Sequence, residues 1–121
     1  MGKHCIFILH GSRSHEVLSA TNRLNEQLLK KLKTSFSICY LTHNTPSLSE
    51  ALEKAFSNGA SEIICFPLFV LPGQHIREDI PNIIDDFKKN HTDLEIKLLP
   101  SLVETQYFTD FLVKSIEADD E

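Results

Sequence analysis

Histidine is the side chain in this sequence best suited to chemistry near neutral pH, because imidazole binds a divalent cation or takes up a proton without a special environment. Of the six present, two have unusual surroundings: His10 in Leu9-His10-Gly11-Ser12-Arg13, and His75 in Pro72-Gly73-Gln74-His75-Ile76-Arg77. Each lies beyond an apolar, strand-like run and ahead of a segment with helical periodicity. The positive end of a helix dipole favours the uncharged ring, the form that binds metal and accepts a proton. His43 closes another apolar run and is a candidate third ligand; His15 falls in the first turn of a helix, while His4 and His91 read as surface positions. Cys5, Cys39 and Cys65 are odd in number, lack CxxC spacing and sit inside apolar runs, so they read as buried reduced thiols rather than a thiolate metal site. Gly11-Ser12 has neither GxxxxGK nor GxGxxG around it, so a nucleotide cradle lacks support.

The elements that must position these groups follow from periodicity. Four apolar runs, Cys5–Leu9, Phe36–Leu41, Glu62–Pro67 and Leu94–Leu98, read as strands. A helix over about Glu16–Lys33 carries Val17, Ala20, Leu24, Leu28 and Leu32 on one stripe. A second opens with a capping box, Ser47 to Glu50, and stops at Gly59. A third, over about Glu78–Asn90, is expected to begin near Arg77–Ile80, because Pro81 fits best in a first turn. A fourth, over about Glu104–Glu117, shows Phe108, Phe111, Leu112 and Ile116, and the acidic tail Ala118–Glu121 is expected to fray. This βαβαβαβα alternation predicts a three-layer α/β domain with a four-stranded parallel sheet in the order 2-1-3-4. Ligands then bind beyond the carboxyl ends of strands 1 and 3, where the order reverses and where His10 and His75 fall.

Length and composition set the frame. The chain has 121 residues, which predicts one domain over 1–121. With 41% hydrophobic and 24% charged residues it is no disordered chain. A net charge of −5 argues against bulk nucleic-acid binding, and no apolar run approaches the ~20 residues of a membrane span. A cytoplasmic protein is expected, the start of the chain lacking a signal peptide's cleavage region.

Three segments taken together carry a family resemblance: His10-Gly11-Ser12-Arg13, then Thr45-Pro46-Ser47 opening a helix, then Pro67-Leu68-Phe69 and Gly73-Gln74-His75-Ile76-Arg77-Glu78-Asp79-Ile80-Pro81. In this order and separation they resemble the short sirohydrochlorin chelatases, the small cobaltochelatase-type members of the class II chelatases. The resemblance runs from about Lys3 to Leu112 and implies half of a class II chelatase fold. It implies ATP-independent insertion of Co²⁺, or of Ni²⁺ or Fe²⁺, into sirohydrochlorin, with no cofactor beyond the substrate metal. It assigns metal binding and catalysis to His10 and His75, with His10 as proton acceptor. It assigns the tetrapyrrole wall to Val70, Leu71, Pro72, Gly73 and Gln74, and it implies a homodimer.

The side chains suit this chemistry independently. Neutral imidazoles in pairs bind such cations weakly enough to release them. Phe69, Val70, Leu71 and Pro72 supply an apolar wall. Ser12, Arg13 and Arg77 are candidate donors to the substrate's carboxylates. The chain departs from the family at Thr42 and Thr45, where many members carry carboxylates, and Thr45 is retained as a substrate contact. That departure motivates an alternative, a metal or tetrapyrrole carrier without turnover. A phosphoryl-transfer enzyme using His10 is a third reading, disfavoured because Leu9 stands where such enzymes place arginine before His-Gly.

Overall fold

The computed structural model describes residues 2–119. Strands and helices alternate as β1 (Gly2–Leu9), α1 (His15–Lys31), β2 (Ser35–Tyr40), α2 (Leu48–Ser57), β3 (Ala60–Pro67), α3 (Gln74–Lys89), β4 (Glu95–Leu98) and α4 (Phe108–Asp119), with one 3-10 turn at Leu102–Glu104. The sheet is parallel throughout, in the order β2-β1-β3-β4, as the alternation predicts. Ile8 of β1 lies opposite Cys39 of β2 and Pro67 of β3, so β1 and β3 end side by side. Among the described residues no helix is long and apolar enough to cross a membrane.

Local sequence accounts for the element ends. The expected capping box forms: Glu50 N–H donates to Ser47 Oγ at 3.1 Å, and Ser47 N–H donates to Glu50 Oε1 at 2.8 Å. Gly59 stops α2 with φ of 95°, a conformation that costs glycine nothing. Ser14 caps α1 by accepting from the Val17 N–H.

Three expectations need correction. First, α3 begins at Gln74, a turn earlier than expected, and Pro81 lies inside it. Proline's fixed φ is compatible with a helix, so what is lost there is the N–H donor and room beside the preceding turn. His75 therefore sits in the first turn of α3 rather than ahead of it. Second, the fourth helix starts at Phe108, and residues 102–104 form their own turn. Ala118 and Asp119, expected to fray, belong to α4; Asp120 and Glu121 lie outside the described residues. Third, α1 is rotated from the expected stripe. Val17 and Ala20 are exposed, and the buried side runs through Leu18, Thr21, Leu24 and Leu28.

The core lies between the sheet and the α2–α3 layer. Ile6, Ile8, Cys39, Ile63 and Cys65 from the sheet meet Leu48, Leu52, Ile80 and Ile84 from the helices. Burial pushes the thiols of Cys39 and Cys65 up to about 12, which keeps them protonated. Cys5, on the other face, is pushed up to about 11 by the same cause. These thiols are free and buried, as expected. Neither His4 nor His91 is a plain surface residue. His4 points to the core side of β1 and has Ser35 Oγ at 2.6 Å and Ser37 Oγ at 3.0 Å from its ring nitrogens. His91 stacks on Phe87 with ring centroids 3.9 Å apart and bonds the Phe87 carbonyl through Nδ1 at 2.8 Å.

Candidate functional site

The site is assembled from two loops that leave the sheet at its carboxyl edge. The first follows β1. Its backbone is tied to the loop after β2: Leu41 N–H donates to the Leu9 carbonyl at 3.0 Å, and Thr42 donates twice to the His10 carbonyl, from N–H at 2.9 Å and from Oγ1 at 3.0 Å. Asn44 Oδ1 accepts the Ser12 N–H at 2.7 Å. Gly11 has φ of 98°, and a Cβ there would run into the Thr42 carbonyl. Only glycine lets the two loops close in this way. Thr42, noted in the sequence as a missing carboxylate, is thus a clamp on His10. Asn44 was not singled out from the sequence; an asparagine among strand-end polar residues, poised to bond backbone, was the available signal.

His10 lines a cavity of about 210 Å³ with Ser12, Tyr40, Asn44, Leu68 and Phe69, closed on one side by Leu18 and Thr21 of α1. Its ring stands edge-on to Phe69, centroids 6.4 Å apart. Nδ1 is 3.3 Å from the Gly11 carbonyl. A carbonyl only accepts, so that contact places the proton on Nδ1 and leaves the Nε2 lone pair for a cation or a proton.

The second loop follows β3. Leu68 N–H donates to the Ile8 carbonyl at 2.8 Å, continuing the pairing of the strands. The chain beyond is held by the segment after β4. Phe69 and Val70 carbonyls accept from Leu102 and Val103 N–H at 2.9 and 3.3 Å. Arg77 Nε donates to the Pro72 carbonyl at 3.3 Å, and its guanidinium lies 4.0 Å from Glu104. Glu104 also accepts from the buried Ser101 hydroxyl at 2.6 Å. Arg77, expected as a substrate donor, is therefore engaged in bracing this loop. The brace leaves Val70 and Leu71 facing water, 57% and 61% exposed, which is unusual for side chains of that kind and suits an apolar contact surface. Gly73 has φ of −68° and nothing near its missing Cβ, so neither a close approach nor a strained turn accounts for it.

The remaining candidates sit at the same edge. His75, Gln74, Arg13 and Thr45 are all exposed, with Thr45 ahead of a cis peptide to Pro46. His43 is exposed with φ of 63°. Among the described residues no three His, Cys, Asp or Glu side chains are grouped to hold a metal ion, so His43 does not complete a three-ligand site. What the edge offers is an accessible imidazole with a free lone pair, a second imidazole in the first turn of α3, and an exposed apolar wall between them in sequence. Such an arrangement can receive a cation and a flat apolar ligand without caging either.

Known proteins share both the sequence pattern and the fold. The CbiX family model matches residues 4–119. The chain is 32% identical to the sirohydrochlorin cobaltochelatase of Sulfurisphaera tokodaii over 69% of this chain and 68% of that one. It is 32% identical to the sirohydrochlorin cobaltochelatase of Saccharolobus solfataricus over 77% of this chain and 75% of that one. The fold is shared with the sirohydrochlorin chelatase SirB of Bacillus subtilis subspecies spizizenii, solved in complex with cobalt, at a TM-score of 0.80 and 18% identity. The match covers 98% of this chain and 51% of SirB, so the chain spans about half of that protein.

Proposed function

The chain belongs to the CbiX family, and we propose that it is a sirohydrochlorin chelatase that exchanges two pyrrolic protons for one divalent metal ion without ATP. Co²⁺ is the first choice of metal, with Ni²⁺ and Fe²⁺ open to the same ligands. The product enters cobalamin or siroheme biosynthesis. No cofactor is required beyond the substrate metal. We read the chain as one catalytic domain, working in the cytoplasm as a homodimer, with neither nucleic acid nor membrane as partner.

The observation that carries this reading is His10. Its Nδ1 is turned to the Gly11 carbonyl, and the ring lines the cavity at the end of the central strand. In the proposed reaction M²⁺ and the free macrocycle yield the metallated macrocycle and two H⁺. His10 Nε2 and His75 hold the incoming ion. As the ion leaves His10 Nε2 and metal–nitrogen bonds form in the macrocycle, each pyrrolic N–H bond gives up its proton; the freed Nε2 accepts one, and water takes the other. Val70, Leu71, Pro72, Gly73 and Gln74 face the ring, while Ser12, Arg13 and Thr45 meet its carboxylates. Two neutral ligands bind the ion more loosely than the four nitrogens that receive it, so transfer runs toward the macrocycle.

The test is an anaerobic absorbance assay with sirohydrochlorin and, separately, Co²⁺, Ni²⁺ and Fe²⁺, beside His10→Ala and a protein-free blank. The expected result is a metal-dependent spectral change faster than the blank, cut at least ~100-fold in the variant, the size of effect of losing a positioned proton acceptor. Full activity in His10→Ala would overturn the assignment. A tetrapyrrole-binding shift with insertion no faster than the blank would mark a carrier.

A further inference from the structure

We infer that Glu104 is a positioning residue for the tetrapyrrole wall: it fixes where Val70, Leu71 and Pro72 stand, and touches neither substrate. The inference rests on the chelatase reading above and adds to it a residue outside the reacting groups. Its starting point is that packing does not hold the loop after β3. Behind the loop lies a cavity of about 170 Å³, lined by Pro67, Pro72, Ile76, Ile80 and Pro100 among others. A second hollow of about 560 Å³ lies between Phe66 and Tyr107, and Glu104 borders both. Side chains in a filled core fix one another by close contact, and a void supplies no such contact. The place of the loop is therefore set by polar ties.

Those ties come from two segments. Leu102 and Val103 N–H groups hold the Phe69 and Val70 carbonyls at one end of the loop, and Arg77 Nε holds the Pro72 carbonyl at the other. Glu104 joins the two segments. Its Oε1 accepts from Ser101 Oγ at 2.6 Å and lies 4.0 Å from an Arg77 guanidinium nitrogen. Ser101 is only 3% exposed, so the carboxylate is anchored on its own side before it meets Arg77. As an ion pair the contact is weak, since both side chains are about half exposed and water screens them. Its effect falls on position rather than on stability. A flat ring needs a wall at a fixed distance from His10, and a displacement of about 1 Å is enough to lose much of such a contact. His75 is spared, because α3 is anchored separately by the buried Ile80 and Ile84. Loss of Glu104 should therefore weaken tetrapyrrole binding and leave metal binding as it was.

The test titrates sirohydrochlorin into the full chain without metal, followed by absorbance, and Co²⁺ separately by calorimetry. Glu104→Gln keeps an acceptor for Ser101 but loses the charge facing Arg77; Glu104→Ala loses both. The tetrapyrrole Kd is expected to rise about 3-fold in the first and about 10-fold in the second, with the Co²⁺ Kd and Tm unchanged. Arg77→Ala should also weaken tetrapyrrole binding, and the double variant should cost less than the product of the two single effects, because both break one junction. Asp86→Asn, which breaks the exposed 3.7 Å pair with Lys89, is the control and should change none of these. Amide exchange at Leu102 and Val103, read by NMR without any ligand, should quicken in Glu104→Ala. Unchanged tetrapyrrole affinity in Glu104→Ala, or a loss matched by a fall in Tm or in Co²⁺ affinity, would overturn the inference. Wild type that binds sirohydrochlorin without inserting metal would remove the chelatase reading and leave this one standing; wild type that does not bind it would remove both.

Discussion

On the side of the sheet covered by α2 and α3, Ile6, Ile8, Leu52, Ile63, Cys39 and Cys65 are sealed from water. On the other side Phe36, Ile38, Ile64 and Phe66 are partly open, and the apolar residues of α4 stand in solvent. The composition of the two faces does not explain this. The open side carries an aromatic row, Phe36, Phe7 and Phe66, with centroids 5.8 and 6.1 Å apart, so it too has large apolar side chains to hide. The difference lies in the covering helices. α2 and α3 present a matching apolar face; α1 covers its part, and α4 does not come down on the sheet. The closed face buries what one chain needs to fold, and the open face leaves large apolar side chains in solvent.

Cavity formation should separate the two faces most sharply. Leu52→Ala is expected to cost about 2–5 kcal/mol in urea denaturation, because the sealed layer cannot collapse onto the gap. The same truncation on the open side, Ile64→Ala, should cost about 1–2 kcal/mol in the monomer, since less area leaves water there. Equal losses would mean that the open side is covered in solution even in single copies. Thiol labelling gives a smaller, kinetic contrast. All three thiols are protonated at neutral pH, but Cys5 lies on the open face, so a disulfide reagent should modify it well before Cys39 and Cys65. Simultaneous modification would show that both faces open together.

The smallest effect concerns the edge of the closed face. Burial holds the His4 pKa below its usual value. The unfolded chain therefore binds the proton first, so the contribution of His4 to stability is present above about pH 6.5 and is lost as pH falls through the folded-state value. Denaturation midpoints measured from pH 7.5 down to 5 should fall, and His4→Gln should flatten that slope. An unchanged slope would mean that His4 and its two serine partners are open to water.

Sequence reading found the sheet order from the alternation of strands and helices, and the α2 capping box, the buried thiols and the strand-end position of His10 from short-range patterns. It missed what depends on two segments meeting. The role of Asn44 appears only once the loop after β2 lies beside Ser12, and that of Arg77 only once the turn after β4 reaches α3. α3 starts earlier than expected because the helix-forming residues Gln74–Asp79 outweigh the preference of Pro81 for a first turn. The arc of α4 was legible, but periodicity says which residues share a face and not what that face meets.

The place of β1 in the sheet also has a consequence during synthesis. Gly2–Leu9 is one of the two inner strands, yet both strands it pairs with lie after it in the chain, and its pairing on one side must wait for Ala60–Pro67. At 5–20 residues per second the interval is roughly 3–12 s. Throughout it, Cys-Ile-Phe-Ile-Leu at Cys5–Leu9 keeps the backbone of that side unpaired on an apolar strand. The same inner position that sets His10 at the switch point thus makes β1 a segment that a holdase would have reason to shield.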